Sequence, residues 1–165
     1  VYRRIRLEPT ANGPDRHEIN YRDASRDPLN GKDPERVTTS FRESPAPNPE
    51  SSLTGSYYEC NPVDADWVVG DASMWMFQGS GFKNGEKIAH MVGNEYDRVT
   101  PGAPTPANIQ VLAHSPVTCR GKASFADSTW YTVPSGAGVF TAATSSAWAC
   151  CLCNSRMATH GRASA

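Results

Sequence analysis

From Ser51 onward, short apolar runs rich in Trp, Tyr, Val and Thr alternate with Gly, Pro, Asn and Asp. That pattern predicts β-strands joined by turns. The runs place strands at 54–58, 66–69, 74–77, 91–95, 109–115, 128–133 and 138–142. Pro134-Ser135-Gly136, between the last two, predicts a turn and therefore a hairpin. Gly85-Glu86-Lys87-Ile88 reads as a loop. Helical spacing is confined to 145–157, where Trp148, Cys151 and Leu152 fall at i, i+3 and i+4. Before Ser51 the pattern dissolves into charged and polar residues, with Ile5, Leu7, Ile19, Tyr21, Leu29, Val37 and Phe41 as widely spaced anchors. The run Glu43-Ser44-Pro45-Ala46-Pro47-Asn48-Pro49-Glu50 forms neither helix nor central strand. The expectation is an extended connector over 1–50, a β-rich domain over 51–153 and a disordered tail over 154–165. The fold class expected is α+β, rich in antiparallel strands and sandwich-like, forming the C-terminal part of a larger α/β-plus-β protein.

Composition narrows the function. The chain has 165 residues, a length suited to one domain or part of a larger protein. Sixteen basic against 17 acidic residues give a formal charge of -1, which argues against a nucleic-acid partner. The longest apolar stretches, 67–69 and 147–152, fall far below the ~20 residues that span a bilayer, so no membrane partner is expected. The opening Val1-Tyr2-Arg3-Arg4-Ile5-Arg6 carries neither an initiator Met nor a secretory signal and predicts a fragment. The five cysteines are odd in number, and Cys150, Cys151 and Cys153 crowd together. This reads as free thiols in a reducing cytoplasm, not as a disulfide framework. The crowded three lack the second half that a structural zinc site needs.

Few constellations carry chemistry. The densest is His90-Met91-Val92-Gly93-Asn94-Glu95-Tyr96-Asp97-Arg98. On a continuous strand, Glu95 and Asp97 are neighbours on one face, and such a pair raises one carboxyl pKa toward general acid or base work. A solvated edge, or an Asp97–Arg98 turn pair, accounts for the same residues. His114 at a strand end reads as structural or exposed, and Ser115 beside it points to the opposite face. Ser135 lacks the glycines of a nucleophile elbow. Gly79-Ser80-Gly81-Phe82 reads as a tight turn, not a phosphate loop. Trp67, Trp75, Phe77, Trp130, Tyr131, Phe140 and Trp148 read as core of a β-layer.

Taken in order, Ser52-Leu53-Thr54-Gly55, Met74-Trp75-Met76-Phe77-Gln78-Gly79-Ser80-Gly81, Val92-Gly93-Asn94-Glu95-Tyr96-Asp97, Val111-Leu112-Ala113-His114-Ser115 and 129–140 make a series of short motifs. The series resembles the C-terminal region of the large (beta) subunit of N,N-dimethylformamidase and its relatives, over roughly 51–152. Val-Gly-x-Glu-x-Asp and Ser-Gly-Ala-Gly-Val-Phe are its most telling parts. The resemblance implies a piece of an amidohydrolase that cleaves a small amide C–N bond. Its partner would be an upstream α/β domain or another subunit, and its iron would be held upstream by tyrosines and a glutamate. No cofactor is then expected on this chain. By the same resemblance Glu95, and after it Asp97, are the candidate active-site residues. Where the family has Gly, this chain has Ala143, which strains any backbone position of positive φ. A second reading is a non-catalytic β-sandwich module for carbohydrate binding or subunit contacts, favoured if Trp75, Trp130 and Trp148 gather on the surface.

Overall fold

The structure is a computed structural model that describes residues 2–6 and 16–145, with side chains from Ile19 onward. The predicted helix at 145–157 beyond its first residue, the crowded cysteines, Trp148, Leu7 and the 154–165 tail lie outside the described residues, as does the side chain of Ile5. The chain divides between Glu50 and Ser51 into two units.

In the first unit β1 (Tyr2–Arg6) pairs antiparallel with β2 (Arg16–Asn20), from Tyr2 opposite Asn20 to Arg6 opposite Arg16. Two 3-10 turns follow, Ala24–Arg26 and Pro34–Arg36. A thinly apolar segment needs polar ties, and Asp27 provides them. Its side chain is buried; Oδ1 accepts the Leu29 N–H at 2.9 Å and Oδ2 the Thr38 N–H at 2.8 Å. Of the spaced anchors, Ile19 and Val37 are buried while Phe41 is exposed.

The second unit is strand-rich and antiparallel, as the alternation predicts. Its elements are α1 (Ser51–Thr54), β3 (Tyr57–Cys60), β4 (Asp64–Val68), β5 (Lys87–Gly93), β6 (Tyr96–Arg98), β7 (Gln110–Cys119), β8 (Lys122–Thr132) and β9 (Gly138–Thr141), with a 3-10 turn at Trp75–Phe77. β7, β8 and β9 form one sheet in that order, and β3 pairs with β6, β4 with β5. Single bridges, Val69 to Ala113 and Tyr96 to Thr144, bring the two pairs alongside the sheet in a sandwich-like arrangement.

The longest pairing is the β7–β8 hairpin. Its turn residues Arg120 (φ 50°) and Gly121 (φ 77°) both lie in the left-handed region, as a type I′ turn requires. Arg120 Nε donates to the Asn61 carbonyl at 3.1 Å. A bulge between Val111 and Ala113 lets the Leu112 carbonyl accept the N–H groups of Gly70 (2.8 Å) and Asp71 (3.1 Å). The core lies where β4 and β5 pack on the inner face of the hairpin, with Trp67, Val69, Val92, Ala113, Val117 and Ala126 buried together. Polar groups in it are matched: Trp67 Nε1 donates to Ser128 Oγ at 2.8 Å, and Ser128 Oγ donates to the Ala142 carbonyl at 2.7 Å. On the other face α1 lends its last carbonyls to β8 and β9. Thr54 O accepts from Thr129 (3.2 Å) and Thr141 (2.7 Å), and Leu53 O accepts from the Tyr131 hydroxyl at 2.5 Å.

Several expectations are corrected. Where a strand is expected at 74–77, Trp75–Phe77 form a 3-10 turn, with Phe77 packed inward on Trp67 and Trp75 turned outward. Lys87 and Ile88 belong to β5, paired with Val68 and Trp67, not to a loop. Cys60 and Cys119 are joined in a disulfide, not free, because β3 ends beside the hairpin turn. The hairpin at Pro134-Ser135-Gly136 is present as the β8–β9 pair. Ala143 is buried with φ 61°, in the left-handed region that favours glycine.

Two outcomes follow. Ala143→Gly removes a left-handed penalty of ~1–2 kcal/mol and adds unfolded-chain entropy of ~0.4–1 kcal/mol. The net expectation is a gain of about 0.5–1 kcal/mol, read from urea unfolding curves; an unchanged or lowered midpoint contradicts it. The Cys60–Cys119 bond spans 59 residues. Replacing both cysteines by Ser should cost about 4 kcal/mol by the loop-entropy relation, and thermal unfolding with and without dithiothreitol should give the wild type, but not the double variant, a lower midpoint under reduction.

Candidate functional site

The type I′ turn sets the register of the hairpin, and equal steps back along both strands bring His114 opposite Asp127. The side chains meet: His114 Nδ1 lies 2.6 Å from Asp127 Oδ1. A carboxylate only accepts, so Nδ1 donates to Asp127, and Nε2, across the ring, faces away from the pair. Asp127 is only 5% exposed, and its second oxygen accepts the Val99 N–H at 2.9 Å. The imidazole stacks on Phe125, with ring centres 4.0 Å apart and planes 19° from parallel. Hydrogen bond and stack together fix the ring, while the His114 side chain keeps half of its surface open to solvent. A buried carboxylate, an oriented imidazole and an open nitrogen make a proton-transfer arrangement.

Val99 is flanked in the chain by two polar residues, Arg98 and Thr100. Arg98 Nη1 donates to Ser124 Oγ at 3.2 Å, and Arg98 Nε stands 3.8 Å from a Glu59 oxygen that also accepts from Thr100 Oγ1 at 2.7 Å. Ser115 plays no part with His114. It is fully buried on the opposite face, and its Oγ accepts the Val68 N–H at 2.9 Å.

The sequence-predicted carboxylates fall elsewhere on the same unit. Residues 90–98 do not make one strand: β5 ends at Gly93, Asn94 has φ 58°, and β6 begins at Tyr96. Glu95 therefore sits in the turn and Asp97 in β6, opposite Tyr58, both half-buried. The Asp97 N–H donates to the Ala143 carbonyl at 3.0 Å. The chain leaves β6 at Val99, so Asp97 is two residues from the N–H that holds Asp127. Among the described residues no three His, Cys, Asp or Glu side chains gather as a metal site.

Two features went unread in the sequence. The His114–Asp127 pair was signalled only by Arg120-Gly121, a weaker turn marker than Asn-Gly. His90 pairs with Asp64, its Nδ1 2.9 and 3.1 Å from the two oxygens, through strand pairing the sequence does not disclose. Two aromatics expected in the core are instead outside: Trp75 is 58% and Phe140 53% exposed.

With this geometry in place, the comparisons are decisive about kinship. The chain matches the family described as N,N-dimethylformamidase beta subunit-like, C-terminal, over residues 1–161. It belongs to that family. The match takes in the first 50 residues as well as the strand-rich unit, so this chain is the C-terminal part of a dimethylformamidase-like protein. Neither a curated protein nor a solved structure matches it. Among the described residues, no helix is long and apolar enough to cross a membrane.

One titration tests the electrostatics. The Asp64 hydrogen bond and charge, with Asp66 adding to them, raise the His90 pKa above its ordinary 6.5. Its stabilising contribution is full below the unfolded value and fades as pH rises through the higher folded one. Proton-detected NMR should show His90 titrating above the free imidazole value and Asp64→Asn moving it down toward that value; a wild-type value at or below the free one contradicts the pairing.

Proposed function

We propose that this chain supplies proton-transfer groups to a hydrolase of small amides, whose iron is held by an upstream domain or another subunit and not by the residues described above. Family membership supports the reaction class. Within the chain, the observation that carries the reading is the His114–Asp127 pair: a buried carboxylate, anchored by a backbone N–H, holds an imidazole with one nitrogen open. In this proposal water adds to the amide carbonyl carbon while its proton passes to His114 Nε2. Asp127 steadies the imidazolium across the 2.6 Å hydrogen bond. The proton then passes to the departing nitrogen as the C–N bond breaks, leaving a carboxylic acid and an amine. Glu95, which matches the glutamate of the Val-Gly-x-Glu-x-Asp motif, is proposed as a further acid or base, and Asp97 as its neighbour. The Cys60–Cys119 disulfide supports an oxidising compartment over the reducing cytoplasm expected from the cysteine count.

The test uses the full-length protein with N,N-dimethylformamide as substrate. His114→Gln and Glu95→Gln should each lower kcat by about 10²–10⁴-fold with bound iron retained. Asp127→Asn, which disturbs the tautomer, should lower kcat more than it raises KM. Wild-type turnover that persists in His114→Gln removes the histidine from the chemistry, whereas an iron-free and inactive wild type sinks the amidase reading itself.

A further inference from the structure

Asp127 and Trp130 stand three residues apart on β8, so their side chains leave the sheet on opposite faces. The face carrying Trp130 is the core face, but Trp130 lies beyond the part that β4 and β5 cover. There, one row crosses all three strands: Gln110 on β7 opposite Trp130 on β8, and Trp130 opposite Phe140 on β9. Gly138 lies next on that face, and its missing side chain matters. A Cβ there would stand 1.9 Å from the Trp130 six-membered ring. The indole therefore lies down over the strand, held against backbone. The 3-10 turn after β4 then delivers Trp75, whose ring meets Trp130 edge-on, with centres 5.4 Å apart and planes at 69°. Trp75 and Phe140 are both more than half exposed.

Two indoles meeting at a steep angle form a corner with an apolar floor and an apolar wall. The polar group of the row, Gln110, and the nearby Asn108 are uncharged. Gln110 is exposed in the row itself, and Asn108 Nδ2 donates to the Thr132 carbonyl at 2.9 Å and to its hydroxyl at 3.2 Å, which holds that amide at the sheet end. Aromatic faces with neutral amides and a hydroxyl suit a ligand that is flat and apolar on its ring faces and rich in hydroxyls at its edge. A charged ligand finds no counter-charge in this row, and an apolar peptide would leave the amides unmatched.

We propose that Trp75, Trp130 and Phe140 form a binding site for a neutral pyranose, with Gln110 and Asn108 as hydrogen-bonding partners of its hydroxyl groups. The site is separate from the His114 face and independent of the hydrolytic reading. Binding there would tether the protein to a polysaccharide without chemistry.

The experiment titrates the chain with cellohexaose, maltohexaose, xylohexaose and chitohexaose, following tryptophan fluorescence and calorimetric heat. The expected result is saturable binding of at least one of them, with a dissociation constant on the order of 0.1–10 mM, weakened at least about tenfold in Trp75→Ala and in Phe140→Ala. Gly138→Ala should weaken it too while leaving Trp75 and Phe140 in place, because the added methyl displaces the Trp130 ring. Circular dichroism identifies any variant that loses its fold, and the remaining variants then decide. Absence of binding by all four hexasaccharides overturns the proposal, as does binding that survives these substitutions in folded protein. A concentration-dependent dimer that dissociates in Trp75→Ala also overturns it, assigning the face to self-association.

Discussion

The two-residue turn at Arg120-Gly121 is the constraint on which the strand-rich unit depends. A two-residue type I′ loop allows only one register, and a slip of a single residue would send every side chain of β7 or β8 to the wrong face. With the register held, Val117 and Cys119 from β7 and Ala126 from β8 enter the core, and His114 meets Asp127 on the outside. The turn is itself held from a distance, because Arg120 Nε donates to the Asn61 carbonyl and Cys119 bonds to Cys60. The hairpin tip and the end of β3 are thus tied twice, once covalently and once by a charged donor.

The bulge at Leu112 converts this regular ladder into a sheet with two uses. It opens one backbone carbonyl to the chain leaving β4, so Gly70 and Asp71 attach there and the following 3-10 turn is aimed across the sheet. Gly70 suits this approach, since a Cβ would stand 3.2 Å from the Leu112 carbonyl oxygen. The same turn sends Phe77 inward toward Trp67 and Trp75 outward toward Trp130. Core packing and surface aromatics therefore share one local cause.

Buried polar groups limit how far the structure tolerates change. Ser115, Ser128 and Thr129 are almost fully buried within the sheet, and each has its hydroxyl committed to a backbone or indole partner from another segment. Leaving such a group unmatched costs about 1–3 kcal/mol, a sizeable share of a domain's stability. These residues are structural cross-ties and leave His114, with its open nitrogen, as the polar side chain of the hairpin best disposed toward chemistry.

Alternation along the chain was enough to show a β-rich antiparallel fold, because burial of one sheet face repeats every two residues. The Pro134-Ser135-Gly136 hairpin and the family kinship were legible for the same local reason: turn residues and short motifs are contiguous. What only the tertiary structure decided involves residues far apart in sequence: the Cys60–Cys119 bond, the His114–Asp127 pair, the break between β5 and β6 at Asn94, and the outward turn of Trp75. Each depends on which strands meet and in what register. That choice belongs to the whole chain, since a local pattern states that a residue faces one side of a strand but not which distant segment waits there.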